Sequence, residues 1–338
     1  MTKEQAEKEL AIINKIDISG WTIDEIADLT KGKEGTVVSY EVLRGNETLR
    51  MKMTRASVDT TVYGYTTQDV AVLDIESISE NSDREVEYYL KTFKDNNVKR
   101  IVLDLRGNTG GYVSTVINIC SLFMEKGKTV FYETERNGNT IENKTKKSNV
   151  YTFDKVVVLV DENTASAAEV LATCLKTNLN ATLVGVTTYG KGTVQISHQF
   201  SDGSYIKYTV AEWLTAAKEK INNVGVKVDV ESKLHPVLTH SSMKSEDVCH
   251  VDSVHSLVKD AQLCLDYLGY DVDRMDGYYS NQTKAALYAF KQDYGLALQD
   301  TIDTSVVETL VNKVNIKWIT QAESEDTQLL DAIKEVKK

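Results

Sequence analysis

The sequence has one proline, Pro236, and only four cysteines among its 338 residues. No two cysteines form a C-x-x-C pair, which leaves a zinc ribbon or a dithiol redox site unsupported. The five histidines also lack the spacing of metal ligands, so we predict no metal site. No apolar run is long enough to cross a membrane.

Positively charged residues are fewer than negatively charged ones: the chain has 39 Lys and Arg and 50 Asp and Glu, which gives a formal net charge of −11. Nucleic-acid binding needs Lys and Arg clustered on one face, and the charge therefore argues against a nucleic-acid partner. Hydrophobic residues form 41% of the chain, enough for packed cores. The first residues, MTKEQAEKELAI, are polar and helix-like and lack the apolar region of a signal peptide. Taken literally, this predicts a cytoplasmic protein or a sequence without its true start.

Strand and helix patterns alternate between residues 59 and 240. The runs VAVLDIES, RIVLDL, KVVVLV and ATLVGV are strand-like, and three of them are apolar on both faces. Between them lie the helical patterns DREVEYYLKTFKDNN, VSTVINICSLFMEKG and ASAAEVLATCLKTN. Buried strands that alternate with helices predict an α/β core with a mixed, largely parallel sheet.

The flanking segments have different patterns. Residues 1–58 predict a small α+β unit with a hairpin around Gly45-Asn46. The polar stretch THSSMKSEDVCH reads as a linker, and residues 251–314 have the apolar spacing of a small all-α module. A charged tail helix is predicted over residues 315–338. Because the module follows a linker, we expect a chain that ends near Ser253 to fold without it.

Ser166 follows the strand KVVVLV after a short polar turn and begins a strongly helix-forming segment. Backbone N–H groups in a first helical turn are unpaired and lie at the positive end of the helix dipole. Such groups suit the oxyanion of an acyl transfer. The alternative is that Thr164 caps the helix and Ser166 is a solvated first-turn residue, and this segment alone favours the alternative.

Lys191 lies between two glycines in YGKGTVQ, where the backbone can approach another segment closely. A lysine acts as a base near neutral pH only when burial lowers its pKa from about 10 toward about 7. Gln195 is four residues further along, an even offset that predicts the same side of the following strand and a hydrogen bond to the amine. The alternatives are an ordinary loop and a polar edge-strand residue.

The segment LDLRGNTGG, residues 103–111, ends a buried strand in a glycine-rich turn. The carboxyl edge of a parallel sheet is where ligand sites form in α/β proteins. Gly110 and Gly111 can expose backbone N–H groups to an anion there. The alternative is a plain tight turn with a local salt bridge from Asp104 or Arg106.

Together, LDLRGNTGG, DENTASAAE and YGKGTVQ resemble, in this order, the carboxyl-terminal processing (tail-specific) serine proteases, a Ser/Lys peptidase family. The family pattern is L-D-L-R-x-N-P-G-G, then N-E-G-S-A-S-A-S-E, then G-K-G-x-V-Q. The resemblance covers roughly residues 12–235. Thr109 stands where the family prefers proline, and Asn163 and Ala168 replace a usual Gly and Ser.

The resemblance implies a serine endopeptidase that cleaves polypeptides near their C-termini through an acyl-enzyme, without a cofactor. It implies that Ser166 is the nucleophile, Lys191 the general base and Gln195 the residue that orients the lysine. The oxyanion hole would consist of the backbone N–H of Ala167 and one from Gly110-Gly111.

The flanking segments resemble known modules as well. Residues 12–55 resemble the second half of a PDZ domain, the family's recognition module for substrate C-termini. LDYLGYDVDRMDGYYSNQTKAALYAFKQDYGL resembles the peptidoglycan-binding-like helical domain that some Gram-positive members append. The resemblance implies an extracytoplasmic, membrane-associated or cell-envelope location. Polypeptides with accessible C-termini are the expected partners, and cell-wall glycan and a homo-oligomer stay open.

On this resemblance, we expect the given residues to lack the carboxylate-binding half of the PDZ domain, the signal and the anchor. We therefore expect either a fragment or a member that binds its substrate in another way. A rival hypothesis is a catalytically silent peptide- or cell-wall-binding protein on the same scaffold. The intact Ser166, Lys191 and Gln195 oppose it.

Overall fold

The computed structural model describes residues 10–13, 16–18, 23–44, 47–55, 60–146, 150–240, 242 and 244–338. The chain divides into two compact units, one formed by residues 1–58 and 234–326 and the other by residues 59–233 and 327–338. The Gly45-Asn46 turn and most of the predicted N-terminal helix lie outside the described residues.

The N-terminal part of the first unit is an antiparallel sheet in the order β2-β1-β3-β4 with one helix, α1. Ile18 and Val38 are buried at its centre, and Ile26 of the helix packs against them. The sequence predicted an α+β unit, and the structure confirms this class. The elements are β1 (Leu10–Ile13), β2 (Ile16–Asp17), α1 (Ile23–Thr30), β3 (Val37–Arg44) and β4 (Glu47–Thr54).

The second unit is built on a six-stranded sheet in the order β14-β11-β10-β7-β6-β5. All neighbours pair in parallel except β5, which is antiparallel to β6 at one edge. The predicted mixed, largely parallel sheet is therefore confirmed. The strands are β5 (Val62–Thr67), β6 (Val70–Ile75), β7 (Arg100–Asp104), β10 (Lys155–Val160), β11 (Thr182–Gly185) and β14 (Val230–Glu231).

Three helices cover one face of this sheet. Every second strand residue points to that face, and its apolar side chains pack against the helices. Val156, Val158 and Val160 share a core with buried residues of α2, α3 and α4, such as Leu90 and Leu171. These helices connect successive parallel strands, as the alternating sequence pattern indicates. They are α2 (Ser82–Asp95), α3 (Val113–Phe123) and α4 (Ala167–Leu179).

The second unit also contains a four-stranded antiparallel sheet in the order β12-β13-β8-β9. The ring of Trp213 on β13 meets Phe131 of β8 edge to face, with centroids 6.5 Å apart. Strand β12 lies at the edge of this sheet and carries Gln195. The strands are β8 (Thr129–Glu135), β9 (Thr140–Lys144), β12 (Thr193–Gln199) and β13 (Tyr205–Thr215).

The helical part of the first unit has its own apolar core, in which Tyr279 and Phe290 are fully buried. Asp303 accepts a hydrogen bond from the N–H of Val306 and begins the longest of its helices. The helices are α5 (Pro236–Thr239), α6 (Ser256–Leu268), α7 (Asn281–Asp293) and α8 (Thr304–Glu325). In the described part of the chain, we find no helix with the length and apolar character to cross a membrane.

The last helix, α9 (Thr327–Val336), belongs to the second unit and covers the other face of the parallel sheet. Its buried residues Ala332, Ile333 and Val336 pack against Val157 and Leu159, which alternate with the valines of the first face. The predicted tail helix over 315–338 thus comprises the end of α8 and all of α9. A chain that ends near Ser253 would lose this cover, contrary to the expectation from the linker.

Candidate active site

One cavity of about 310 Å³ brings together the residues that the sequence singled out. Ser166 and Ala167 reach it from the start of α4, Lys191 from the loop before β12, and Gln195 from β12 itself. Gly110 and Gly111 line it from the loop after β7. The same cavity is therefore lined by two segments that are about 80 residues apart in sequence, 110–111 and 191–195.

Ser166 occupies a strained backbone conformation, with φ 56° and ψ −119°, directly before the first helical residue. A non-glycine residue held in a sparsely populated region costs about 1–3 kcal/mol and points to a functional constraint. Thr164 does not cap α4; its hydroxyl donates to the carbonyl of Leu105 at 2.7 Å and is fully buried. The N-cap position of α4 is therefore Ser166 itself rather than Thr164.

The turn after β7 approaches the Ser166 turn so closely that only glycine fits. A Cβ on Gly110 would lie 2.9 Å from the Cβ of Ser166, and one on Gly111 would lie 1.9 Å from the carbonyl oxygen of Ile78. Both glycines also have positive φ. The Asn108 carbonyl accepts the N–H of Ala165 at 2.9 Å and joins the two turns directly.

The two glycines differ in the state of their backbone N–H groups. Gly110 donates its N–H to Asn108 Oδ1 at 2.8 Å, while Asn108 Nδ2 donates to the Ile75 carbonyl at 2.6 Å. Among the described residues, the N–H groups of Gly111 and Ala167 have no hydrogen-bond partner. Gly111 and Ala167 therefore each keep a backbone N–H available to a bound group, whereas Gly110 does not.

Hydrogen bonds to both the backbone N–H and the backbone carbonyl of Lys191 hold its loop in place. The N–H of Lys191 donates to Glu169 Oε2 at 2.9 Å, and its carbonyl accepts the indole N–H of Trp213 at 2.9 Å. The flanking glycines allow close backbone contact, since a Cβ on Gly190 would lie 2.6 Å from the nitrogen of Gly225. The side chain of Lys191 is half-buried in the cavity wall.

Gln195 lines the same cavity as Lys191, and so does its neighbour Val194. The pairing of β12 with β13 shifts register between Val194 and Gln195, and Val210 of β13 is the residue left without a partner on β12. The amide nitrogen of Gln195 lies 3.5 Å from Thr209 Oγ1.

Charged groups at the end of β7 form a local pair beside the glycine-rich turn. The Arg106 guanidinium binds the Asp104 carboxylate, with a Nη2–Oδ2 distance of 2.6 Å. The predicted salt bridge therefore coexists with the glycine-rich turn in the cavity wall. Burial, followed by repulsion from Asp104 and Glu76, raises the pKa of Asp74 to about 6. Among the described residues, no cluster of His, Cys, Asp or Glu is arranged to hold a metal ion.

Glu169 is the residue of this region to which sequence reasoning gave no role. It is fully buried in the first turn of α4 and accepts hydrogen bonds from the N–H groups of Ser166, Gly190 and Lys191 and from the hydroxyl of Thr188. A signal was present, because a single carboxylate stands in the apolar helix AAEVLATCL. A buried charge of this kind needs several partners.

Comparison with known proteins gives matches along most of the chain. The model of peptidase family S41 matches residues 69–232, and a peptidoglycan binding domain model matches residues 254–302. The chain is 32% identical over 334 residues to the carboxy-terminal processing protease CtpA of Bacillus subtilis (strain 168), covering 96% of this chain and 69% of the relative. CtpB of the same organism is 30% identical over 339 residues, again covering 96% of this chain and 69% of the relative.

A solved structure, the photosystem II D1 C-terminal processing protease, is 24% identical with a TM-score of 0.47. The alignment covers 66% of this chain and 62% of that chain. This chain thus spans about two thirds of the length of the relatives that it matches.

Proposed function

Since this chain belongs to peptidase family S41, we propose that it cleaves polypeptides near their C-termini with Ser166 and Lys191 as its catalytic pair. The family predicted from three short segments is confirmed, and so is the peptidoglycan-binding-like module; the half PDZ domain stays a prediction. The observation that carries the proposal is the single cavity lined by Ser166, Lys191 and Gln195.

In the proposed reaction, Ser166 Oγ bonds to the scissile carbonyl carbon while its proton moves to the neutral Lys191 amine. The protonated amine then gives this proton to the leaving nitrogen, and the peptide bond breaks to leave an acyl-enzyme. Lys191 next takes a proton from water, whose oxygen attacks the ester carbonyl carbon. The bond from this carbon to Ser166 Oγ then breaks, Ser166 Oγ receives the proton from Lys191, and the new C-terminus is released. Lysine thus has the role that histidine has in the Ser-His-Asp enzymes.

The backbone N–H groups of Ala167 and Gly111 are the proposed oxyanion donors. Both lie in the cavity wall, and Ala167 is the first residue of α4, where the helix dipole is positive. Gly110 has a supporting role, because its N–H holds the turn through Asn108. Donors fixed before the reaction need no reorganisation when the negative charge develops.

Lys191→Arg is expected to lower kcat/KM by about 10³-fold, as much as Lys191→Ala, because arginine keeps its proton and cannot act as a base. Gln195→Ala should retain partial activity, since it removes only an orienting hydrogen bond. The measurement is kcat/KM on one peptide substrate for the wild type and the three variants.

Lys220→Arg is the matched control for the lysine, because Lys220 is exposed and pairs with Glu212 outside the cavity. It should keep the wild-type rate. An active Lys191→Arg enzyme would rule out the Ser/Lys mechanism, and the search for a base would turn to the histidines, beginning with His198.

We further propose that the protein acts at the cell envelope, on the strength of its peptidoglycan-binding-like module. If this module binds glycan, the protein should co-sediment with purified peptidoglycan, and an excess of soluble muropeptides should release it. Equal recovery in the supernatant with and without peptidoglycan would show that the module does not bind this polymer.

A further inference from the structure

The two segments that carry the proposed nucleophile and base meet at one buried carboxylate. Glu169 Oε2 accepts the N–H of Ser166 at 2.8 Å and the N–H of Lys191 at 2.9 Å. Its Oε1 accepts the N–H of Gly190 at 2.8 Å and the hydroxyl of Thr188 at 2.5 Å. One oxygen atom therefore joins the two peptide units whose side chains would have to exchange a proton.

We propose, on the basis of the function above, that Glu169 is a positioning residue that keeps Ser166 and Lys191 in reactive register. A carboxylate is suited to this task because it accepts at about four lone-pair positions and donates at none. Its first-turn place in α4 adds a favourable interaction with the helix dipole. With four donors the buried charge is fully compensated, so the carboxylate and both segments form one fixed unit.

Thr188 completes this unit. Its hydroxyl donates to Glu169 and accepts the N–H of Val226 at 2.8 Å, so the hydroxyl hydrogen is directed to the carboxylate. Thr188 is itself buried, with 5% of its surface exposed. Through Thr188 the carboxylate is also tied to the segment that contains Gly225, which packs against Gly190.

The closest substitutions cannot reproduce these contacts. In Glu169→Gln, whichever oxygen becomes an NH₂ group faces two hydrogens, because each carboxylate oxygen accepts from two donors. In Glu169→Asp, the side chain is shorter by one methylene and the carboxylate cannot keep its place between the two segments. A displacement of about 1 Å between reacting groups can cost about 10²-fold in rate.

The experiment measures kcat and KM for Glu169→Gln, Thr188→Val and Thr188→Ser on the full chain. We expect Glu169→Gln to lower kcat about 10²-fold with KM within about 3-fold, because the cavity walls persist while the reacting groups separate. Thr188→Val should lower kcat about 10-fold, and Thr188→Ser, which keeps the hydroxyl, should restore it.

Glu85→Gln is the matched control. Glu85 Oε2 also bridges a backbone turn, accepting the N–H groups of Thr61 at 2.9 Å and Val62 at 3.0 Å, and none of these residues lines the cavity. It should lower thermal stability and leave kcat within about 2-fold. Hydrogen–deuterium exchange of Gly190 and Lys191 should accelerate in Glu169→Gln and stay unchanged in Glu85→Gln.

The outcomes separate this proposal from the proposed function. If Ser166→Ala still cleaves, the assigned nucleophile is wrong. If Ser166→Ala is inactive while Glu169→Gln keeps kcat within about 3-fold, the positioning role alone is overturned. Should Glu169→Gln fail to fold, Thr188→Val decides: a wild-type kcat there overturns the proposal, and a kcat loss that Thr188→Ser restores supports it.

Discussion

Ser166→Ala is expected to lower kcat/KM by at least about 10⁴-fold, because it removes the hydroxyl on which the proposed acyl-enzyme forms. The fold should persist, since Ser166 contributes a backbone N–H to Glu169 that alanine retains. Alanine meets the same positive φ as serine, so the strained turn is kept. The measurements are peptide cleavage and the thermal midpoint of wild type and variant.

Fluorophosphonate labelling supplies the direct readout of the same residue. We expect labelling of the wild type and of Ser114→Ala, a control at an exposed first-turn serine of α3, and none of Ser166→Ala. An unlabelled, inactive wild type would instead favour the catalytically silent binding protein. Labelling of Ser166→Ala at the wild-type rate would show that the nucleophile lies elsewhere.

Deletion of residues 327–338 is expected to abolish cooperative folding of the peptidase unit at 25 °C. The buried side chains of Ile333 and Val336 in α9 each contribute about 1.5–3 kcal/mol, Ala332 adds about 0.8 kcal/mol, and the sheet face beneath them would be exposed as well. A loss of at least about 5 kcal/mol approaches the whole stability of a typical domain, about 5–15 kcal/mol. The measurement is thermal and urea unfolding followed by circular dichroism.

Point variants in α9 test its contribution to the free energy of unfolding without shortening the chain. Ile333→Ala should lower the free energy of unfolding by about 2–5 kcal/mol, because it leaves a cavity between α9 and the sheet. Lys334→Ala, at the exposed neighbouring position, should change it by less than about 0.5 kcal/mol. A shortened chain with the wild-type unfolding midpoint would contradict the role of α9.

Sequence alone determined the local structure and the candidate chemistry. The strand KVVVLV is apolar at every position after Lys155, which indicates burial on both faces whatever packs there. The glycines on both sides of Lys191 indicated close backbone approach, and the structure shows it. Such features depend on the residue and its near neighbours, and periodicity and motif order were therefore enough for the α/β core and the peptidase family.

Tertiary structure decided what depends on contacts between distant segments. The apolar face of the predicted tail helix could have packed on any complementary surface, and only the fold shows that it covers the parallel sheet. The register shift in the pairing of β12 with β13 leaves Val210 without a partner, and this depends on two strands that meet only in the folded chain. Glu169 is defined by donors up to 22 residues away, brought to it because parallel strands end at the same sheet edge. A carboxylate's role is set by the hydrogens around it, and these are assembled only when the chain folds.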